Sequence, residues 1–304
     1  MKKIVTFLLI LAFPLFAKGD LHIFDADNAK GTITPKSITQ AFKDNGFVVT
    51  NNSDLAKAFK KQFNDESYTM FSLLSVFVPK LAAELIEKYP HSGVFIPLSI
   101  GVYQSKKENT VHVSVLTSEA LAKIIGIKNN ALLKDLEKRV AKSIMKAMPA
   151  AKEHFSEDSL KESRNLVTVY SLELDGGDWA DAKDELDMGL QGAFAPKGFM
   201  MPASLDYDED ITPNMKKNPF DFYESYSICK LPVIYTVSKS RPEAAAFAPC
   251  TTMVYKLKKE DKIVLGFPSV YNWMSSARVQ DKDSHEMLMK AQEEFESVLK
   301  SVTE

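Results

Sequence analysis

Cysteine and histidine are scarce: two cysteines, Cys229 and Cys250, and five histidines occur in 304 residues. His22, His91, His112, His154 and His285 are scattered without the spacing of a metal-ligand set. No Cys-x-x-Cys is present, which excludes a thioredoxin-type redox motif. Gly-x-Ser-x-Gly, His-Glu-x-x-His, a phosphate-binding glycine loop and a dinucleotide fingerprint are also missing, so the familiar hydrolase, metalloprotease and nucleotide-binding chemistries have no signature here. Excess positive charge is absent as well: the formal charge is −2, which excludes the basic footprint of a nucleic-acid binder. Asp206-x-Asp208-x-Asp210 begins like a calcium loop, but Ile211 and Lys217 stand where glycine and glutamate are required. Asp175-Gly-Gly-Asp178 reads as a turn and helix cap, and Asp25 and Asp27 as loop residues.

Long apolar runs are confined to the start. Residues 1–17 read as a secretory signal peptide, with Lys2 and Lys3 as the positive region, Ile4 to Ala12 as the apolar region, and a cut expected after Ala17. No later segment approaches the ~20 apolar residues needed to span a bilayer. The expectation is a periplasmic protein of formal charge −4 after removal of the two lysines, without a membrane span.

With 45% hydrophobic and 26% charged residues, the chain is an ordinary globular one long enough for two domains. Self-comparison supports two. At an offset of 152, Ala41, Phe42, Gly46 and Phe47 meet Ala193, Phe194, Gly198 and Phe199. The same offset brings Pro90, Phe95, Pro97, Val102, Tyr103 and Lys106 onto Pro242, Phe247, Pro249, Val254, Tyr255 and Lys258. Between these blocks, matching the prolines Pro79 and Pro232 moves the offset to 153 and pairs Val76 with Cys229. The expected division is 18–148 for a first unit, 149–165 for a linker and 166–304 for a second unit.

Each unit reads as strand, helix, strand, helical or irregular segment, long strand, helix, hairpin and final helix. In the first, Pro35 opens a helix that Gly46 ends, Ser53 or Asp54 caps a second, and Tyr68–Phe77 is a strand. Pro79 begins a third helix, 94–104 and 110–117 form a hairpin, and Asn130–Met148 is amphipathic. In the second, the strand 222–229 precedes a helix at 232–239 and a hairpin of 246–257 with 262–267. The spacing of Asp283 and Glu286 predicts the cap of the last helix. The fold class expected is α+β, two similar units each with helices on one face of a mostly antiparallel sheet.

The block Pro79-x-Leu81-Ala82-x-x-Leu85, Pro90-x-x-Gly93-x-x-x-Pro97, Val102-Tyr103, together with Gly46-Phe47, resembles the family catalogued as domain of unknown function 302. The resemblance covers roughly residues 33–148 and 178–302. That family's pattern has a cysteine three residues before the first proline and another just after the last; Cys229-x-x-Pro232 and Pro249-Cys250 match it, whereas the first unit has Val76 and Leu98. The second unit in turn reads Val233-Ile234 in place of Leu-Ala. The resemblance implies a TATA-binding-protein-like α+β fold commonly met as dimers, here an internal pseudo-dimer, and no settled activity or cofactor.

The functional candidates are therefore Cys229 and Cys250, with Pro232, Pro249, Tyr255 and Tyr103 around them. Three readings of the cysteines stand open: a structural disulfide, two separately placed thiols, or a redox or soft-metal pair. A disulfide requires the two strands to be neighbours. His285, Met287 and Met289 would be copper ligands, but that spacing does not put all three on one helix face. Trp179 and Trp273 read as core or groove lining. The favoured reading is non-catalytic binding of a small ligand or an envelope protein, at a cleft in the second unit or between units. The chain would be a monomer or a homodimer. The rival is a thiol-based redox or soft-metal protein.

Overall fold

The computed structural model describes residues 18–161 and 165–304, so the segment read as a signal peptide lies outside the described residues. The first unit runs β1 (Leu21–Asp27), α1 (Pro35–Asp44), β2 (Val48–Asp54), α2 (Leu55–Phe63), β3 (Tyr68–Phe77), α3 (Pro79–Lys88), a 3-10 turn (Pro90–Phe95), β4 (Leu98–Ser105), β5 (Thr110–Leu116), α4 (Ser118–Ile124), α5 (Ala131–Ala147) and β6 (Lys152–Phe155). The second runs β7 (Val167–Glu173), α6 (Trp179–Phe194), β8 (Met200–Asp206), α7 (Tyr207–Asp210), β9 (Phe220–Cys229), α8 (Leu231–Ser238), a 3-10 turn (Pro242–Phe247), β10 (Cys250–Leu257), β11 (Lys262–Pro268), α9 (Tyr271–Ser276) and α10 (Lys282–Thr303).

Local chemistry accounts for the boundaries. Thr34 and Ser37 form a reciprocal capping box with Pro35 at the first helical position of α1, and Gly46 at φ +82° then turns the chain into β2. Asp54 caps α2 and Asn130 caps α5. Asp281, not Asp283, caps α10: its carboxylate accepts from the amide of Ser284, which places Asp283 inside the first turn.

The two sheets have the order β2-β3-β4-β5-β1-β6 and β8-β9-β10-β11-β7, with antiparallel neighbours, so the five strands common to both units have one topology. The duplication is also strict in register. β4 and β10, β5 and β11, and the cis prolines Pro97 and Pro249 are all related by 152 residues. The offset of 152 also holds through β3 and β9, because Val76 faces Leu98 just as Ile228 faces Cys250. Cys229 thus stands in the place of Phe77 and not of Val76. Matching prolines misleads by one residue because the first turn of a helix needs no amide donor: Pro79 is the first residue of α3, whereas Pro232 is the second of α8.

Three further expectations need correction. The linker carries β6, which pairs antiparallel with β1 (His22 opposite Phe155, Asp25 opposite Lys152); its sequence Lys-Glu-His-Phe lacks the apolar alternation that announces a strand. Asp25 and Asp27 belong to β1 and not to a loop. The residues before each cis proline form 3-10 turns, so β4 and β10 begin later than the hairpin pattern suggests.

Helices cover one face of each sheet, α1, α3 and α5 in the first unit and α6, α8 and α10 in the second. The other face of each sheet receives the 3-10 turn of the opposite unit, that of the first unit lying on β9, β10 and β11 and that of the second on β4, β5 and β1. Ser99 Oγ donates to the carbonyl of Pro249 and Thr251 Oγ1 to that of Pro97, each at 3.3 Å, a reciprocal pair across a pseudo-two-fold axis. Tyr223 Oη donates to the carbonyl of Pro90 at 2.6 Å, and Tyr207 Oη to that of Ile96. The chain is an internal pseudo-dimer.

Candidate functional site

The cysteines sit at one end of adjacent antiparallel strands. Cys229 ends β9 opposite Met200, and Cys250 begins β10 opposite Ile228. The register pairs Cys250 with Ile228, so Cys229 stands one residue beyond the position directly opposite it. Both are free cysteines. Neighbouring strands alone do not make a disulfide, because the geometry of that bond is specific.

Both residues border a cavity of about 30 Å³ under α8 and α10, walled by Phe199, Phe267, Trp273 and Phe295 among others. That is room for about one water. The first unit has the corresponding cavity, about 10 Å³, bordered by Val76, Phe77, Leu98 and Leu136. The cavity is therefore a property of the fold, and the cysteines take apolar positions in it. Burial pushes the Cys229 thiol up to about 11 and, with the nearby Cys229 adding to it, the Cys250 thiol up to about 12. At pH 8 Cys229 should therefore react with Ellman's reagent roughly a hundredfold, and Cys250 roughly a thousandfold, more slowly than free cysteine, and both should titrate at once in denaturant. A fast-reacting thiol in the native protein would contradict this placement.

The other candidates divide. Pro232 and Pro249 shape backbone, the first in the opening turn of α8 and the second after a cis bond, its own carbonyl accepting from Ser99 Oγ. Tyr255 is buried in a stack with Tyr223 (5.1 Å between centroids) against the edge of Phe220. Trp179 stacks on Phe222 and Trp273 on Phe247. His285, Met287 and Met289 are spread along α10, and no group of three or more His, Cys, Asp or Glu among the described residues is arranged to hold a metal ion. No helix among the described residues is long and apolar enough to cross a membrane.

Tyr103 differs, because it lines a cleft of about 460 Å³ to which both units contribute. The first unit supplies Asp65, Ser67, Tyr68, Tyr103, Ser105 and Glu108, and the second Tyr235, Ser238 and Lys239. Tyr235 reaches across from α8, stacks flat on Phe63 at 4.0 Å and donates to Asp65 at 2.9 Å. The Ser67 hydroxyl and amide, then Tyr235, hold the Asp65 carboxyl below its usual range. Lys239 Nζ lies 4.2 Å over the Tyr235 ring, and Tyr68 Oη donates to the carbonyl of Ser238 at 2.6 Å.

Behind Tyr103 is a polar layer. His112 stacks on its ring at 5.0 Å and is held between Asp25 (2.7 Å) and Glu108 (3.3 Å). Glu243, on the second unit's 3-10 turn, lies 3.5 Å from Arg241, and burial raises its carboxyl above the usual range. Burial first, and then the carboxylates Glu243 and Asp25, push the Tyr103 phenol well up, so it is a neutral donor. The pseudo-symmetric position is built differently. Fully buried Phe220 replaces Tyr68, and Glu87, in the place of Lys239, accepts from the amides of Lys216 (3.0 Å) and Lys217 (3.1 Å), stitching the units together there.

Sequence reasoning picked out Tyr103 but not Tyr68, Asp65, Tyr235 or Lys239. Each looks like an ordinary surface or core residue until the units are docked. The one available signal was the departure of Tyr68 and Lys239 from their duplicates Phe220 and Glu87.

A family model described as "Domain of unknown function DUF302" matches residues 32–151 and 181–302. No curated protein matches the chain. Among solved structures, an uncharacterized conserved DUF302 protein from Bacillus stearothermophilus is similar at 14% identity, covering 45% of this chain and 98% of its own, with a TM-score of 0.36.

Proposed function

The chain belongs to the DUF302 family as a tandem pair, and from that premise we propose that it binds a small polar or aromatic ligand, without catalysis, in the cleft between its units. The observation that carries this reading is the 460 Å³ cleft itself, walled by Tyr68, Tyr103 and Tyr235 and rimmed by charges of both signs. It is open on one side of the pseudo-two-fold axis, while Glu87 ties the units together on the other. Concave sites of this size with a few convergent polar groups are the usual form of a small-molecule site. The signal-like residues 1–17 favour action in the periplasm.

The thiol-based alternative has less support. It needs thiols that ionise, whereas burial raises both.

The test is equilibrium dialysis of the purified protein against a soluble extract, with bound compounds identified by mass spectrometry, in parallel with Ser105→Trp. Ser105 is at the cleft wall, and the indole fills the space without touching the core. Retention by the wild type and loss by Ser105→Trp is the expected result. Equal retention by both proteins would refute the cleft as the site.

A further inference from the structure

The two sheets differ at one edge. In the first unit, β1 is covered by β6, and Ile23 beneath that pairing is 8% exposed. In the second unit the corresponding strand is β7, of the same length and in the same register on its neighbour: Leu21 pairs with Leu116 as Val167 pairs with Pro268. Among the described residues nothing pairs with the outer edge of β7. Val169, in the place of Ile23, is 41% exposed, one of three large apolar residues so exposed among the described residues.

The composition of β7 makes that edge adhesive. Val-Thr-Val-Tyr-Ser-Leu-Glu is rich in β-branched and aromatic residues, has no proline or lysine, and carries its single charge at the last position. Natural edge strands are kept from pairing by lysine, proline or bulges. The charged β6 covers β1, and β7 has none of these devices.

We propose that β7 is a homodimerisation edge, pairing antiparallel with β7 of a second copy of this chain. The strand is complementary to itself about Tyr170. A two-fold axis there sets Tyr170 against Tyr170, Val169 against Ser171, Thr168 against Leu172 and Val167 against Glu173. The centre is an aromatic cross-strand pair and no like charges oppose one another. The helix flanking this edge is of mixed sign: Glu296, Lys300 and Glu304 of α10 all lie near Tyr170. Ten strands of two second units then form one sheet, with both α10 helices on the same face. The dimer is distinct from the internal pseudo-dimer and leaves the inter-unit cleft open.

Sedimentation velocity on the mature chain, from micromolar to near-millimolar, tests this, with Val169→Lys, Val169→Thr and Met200→Lys alongside. Reversible dimerisation is expected, weakened on the order of tenfold or more by Val169→Lys and little changed by Val169→Thr, because a lysine on an edge opposes pairing. Met200→Lys, at another exposed apolar residue, should leave it intact. Hydrogen exchange should show β7 amides gaining protection with concentration. A monomer throughout the range overturns the proposal, as does a dimer that Met200→Lys weakens and Val169→Lys does not. Protection of β7 only on adding a different protein overturns it too.

Discussion

Gly101→Ala should lower stability by about 2–4 kcal/mol, and Ala245→Gly in the same chain should restore most of the loss. Gly101 lies in β4 where the second unit's 3-10 turn presses on the sheet. A Cβ there would stand 2.5 Å from Cβ of Ala245, 2.8 Å from Ser114 Oγ and 3.2 Å from the Ala245 carbonyl carbon. Neither Ala245 nor its backbone can rotate away, so the units must separate or the sheet must bend. Across the pseudo-two-fold axis the volumes are exchanged. Met253 stands in the place of Gly101 and Gly93 in that of Ala245, and a Cβ on Gly93 would meet the Tyr223 ring at 2.8 Å. The two contacts are complementary in opposite senses, one with the small residue on the strand and the other with it on the turn. A loss of this size corresponds to a melting point lower by roughly 3–7 °C for a chain of this length. Urea denaturation of the two single variants and the double variant measures the coupling directly. If Ala245→Gly adds its own loss to that of Gly101→Ala, the seam is not packed as described.

That seam explains which parts of the molecule could be read from the chain. β3 spans Tyr68–Phe77 as its pattern predicts, and α1, with its proline start and glycine stop, is equally plain. Such elements are set by local rules: periodicity, capping and the permissiveness of glycine. β6 was invisible because a four-residue strand of Lys, Glu, His and Phe is stabilised by the edge it covers and not by its own pattern. α4 and α9, each following a hairpin, were too short to show a helical period. The cysteines drew attention through rarity, yet register decides their chemistry, and a one-residue alignment by prolines hid it. With Cys229 in the place of Phe77 and Cys250 in that of Leu98, both are substitutions within a packed layer. The cleft depends on residues of two units that are distant in sequence, and only docking brings Tyr235 to Asp65 and Phe63.

Phe295→Ser should cost about 3–5 kcal/mol, the range for removing a buried ring. It should also open the cavity beside the cysteines. Phe295 packs on Phe267 at 4.0 Å, Phe194 at 4.7 Å and Phe199 at 5.5 Å, a four-ring cluster between α6, α10 and the sheet. The first unit meets the same need with less volume. Phe42 and Phe47 keep their edge-on contact at 5.0 Å, but Val115 stands for Phe267 and Val140 for Phe295, the last helices being offset by 155 because Glu137 accepts from the Ser118 amide as Gln292 does from that of Val270. A serine at 295 can donate to the carbonyl four residues back, so its cost is the void and not an orphaned hydroxyl. The lost ring lies in the wall shared with Cys229 and Cys250, so the variant should melt earlier and its thiols should react with Ellman's reagent faster than those of the wild type under native conditions. Phe295→Leu, which keeps most of the volume, should recover much of both effects. If Phe295→Ser instead lowers stability and leaves native thiol reactivity unchanged, Phe295 does not wall that cavity. Each unit's core is then a matched set, and a ring removed from one leaves a void that its neighbours, held by their own elements, do not fill.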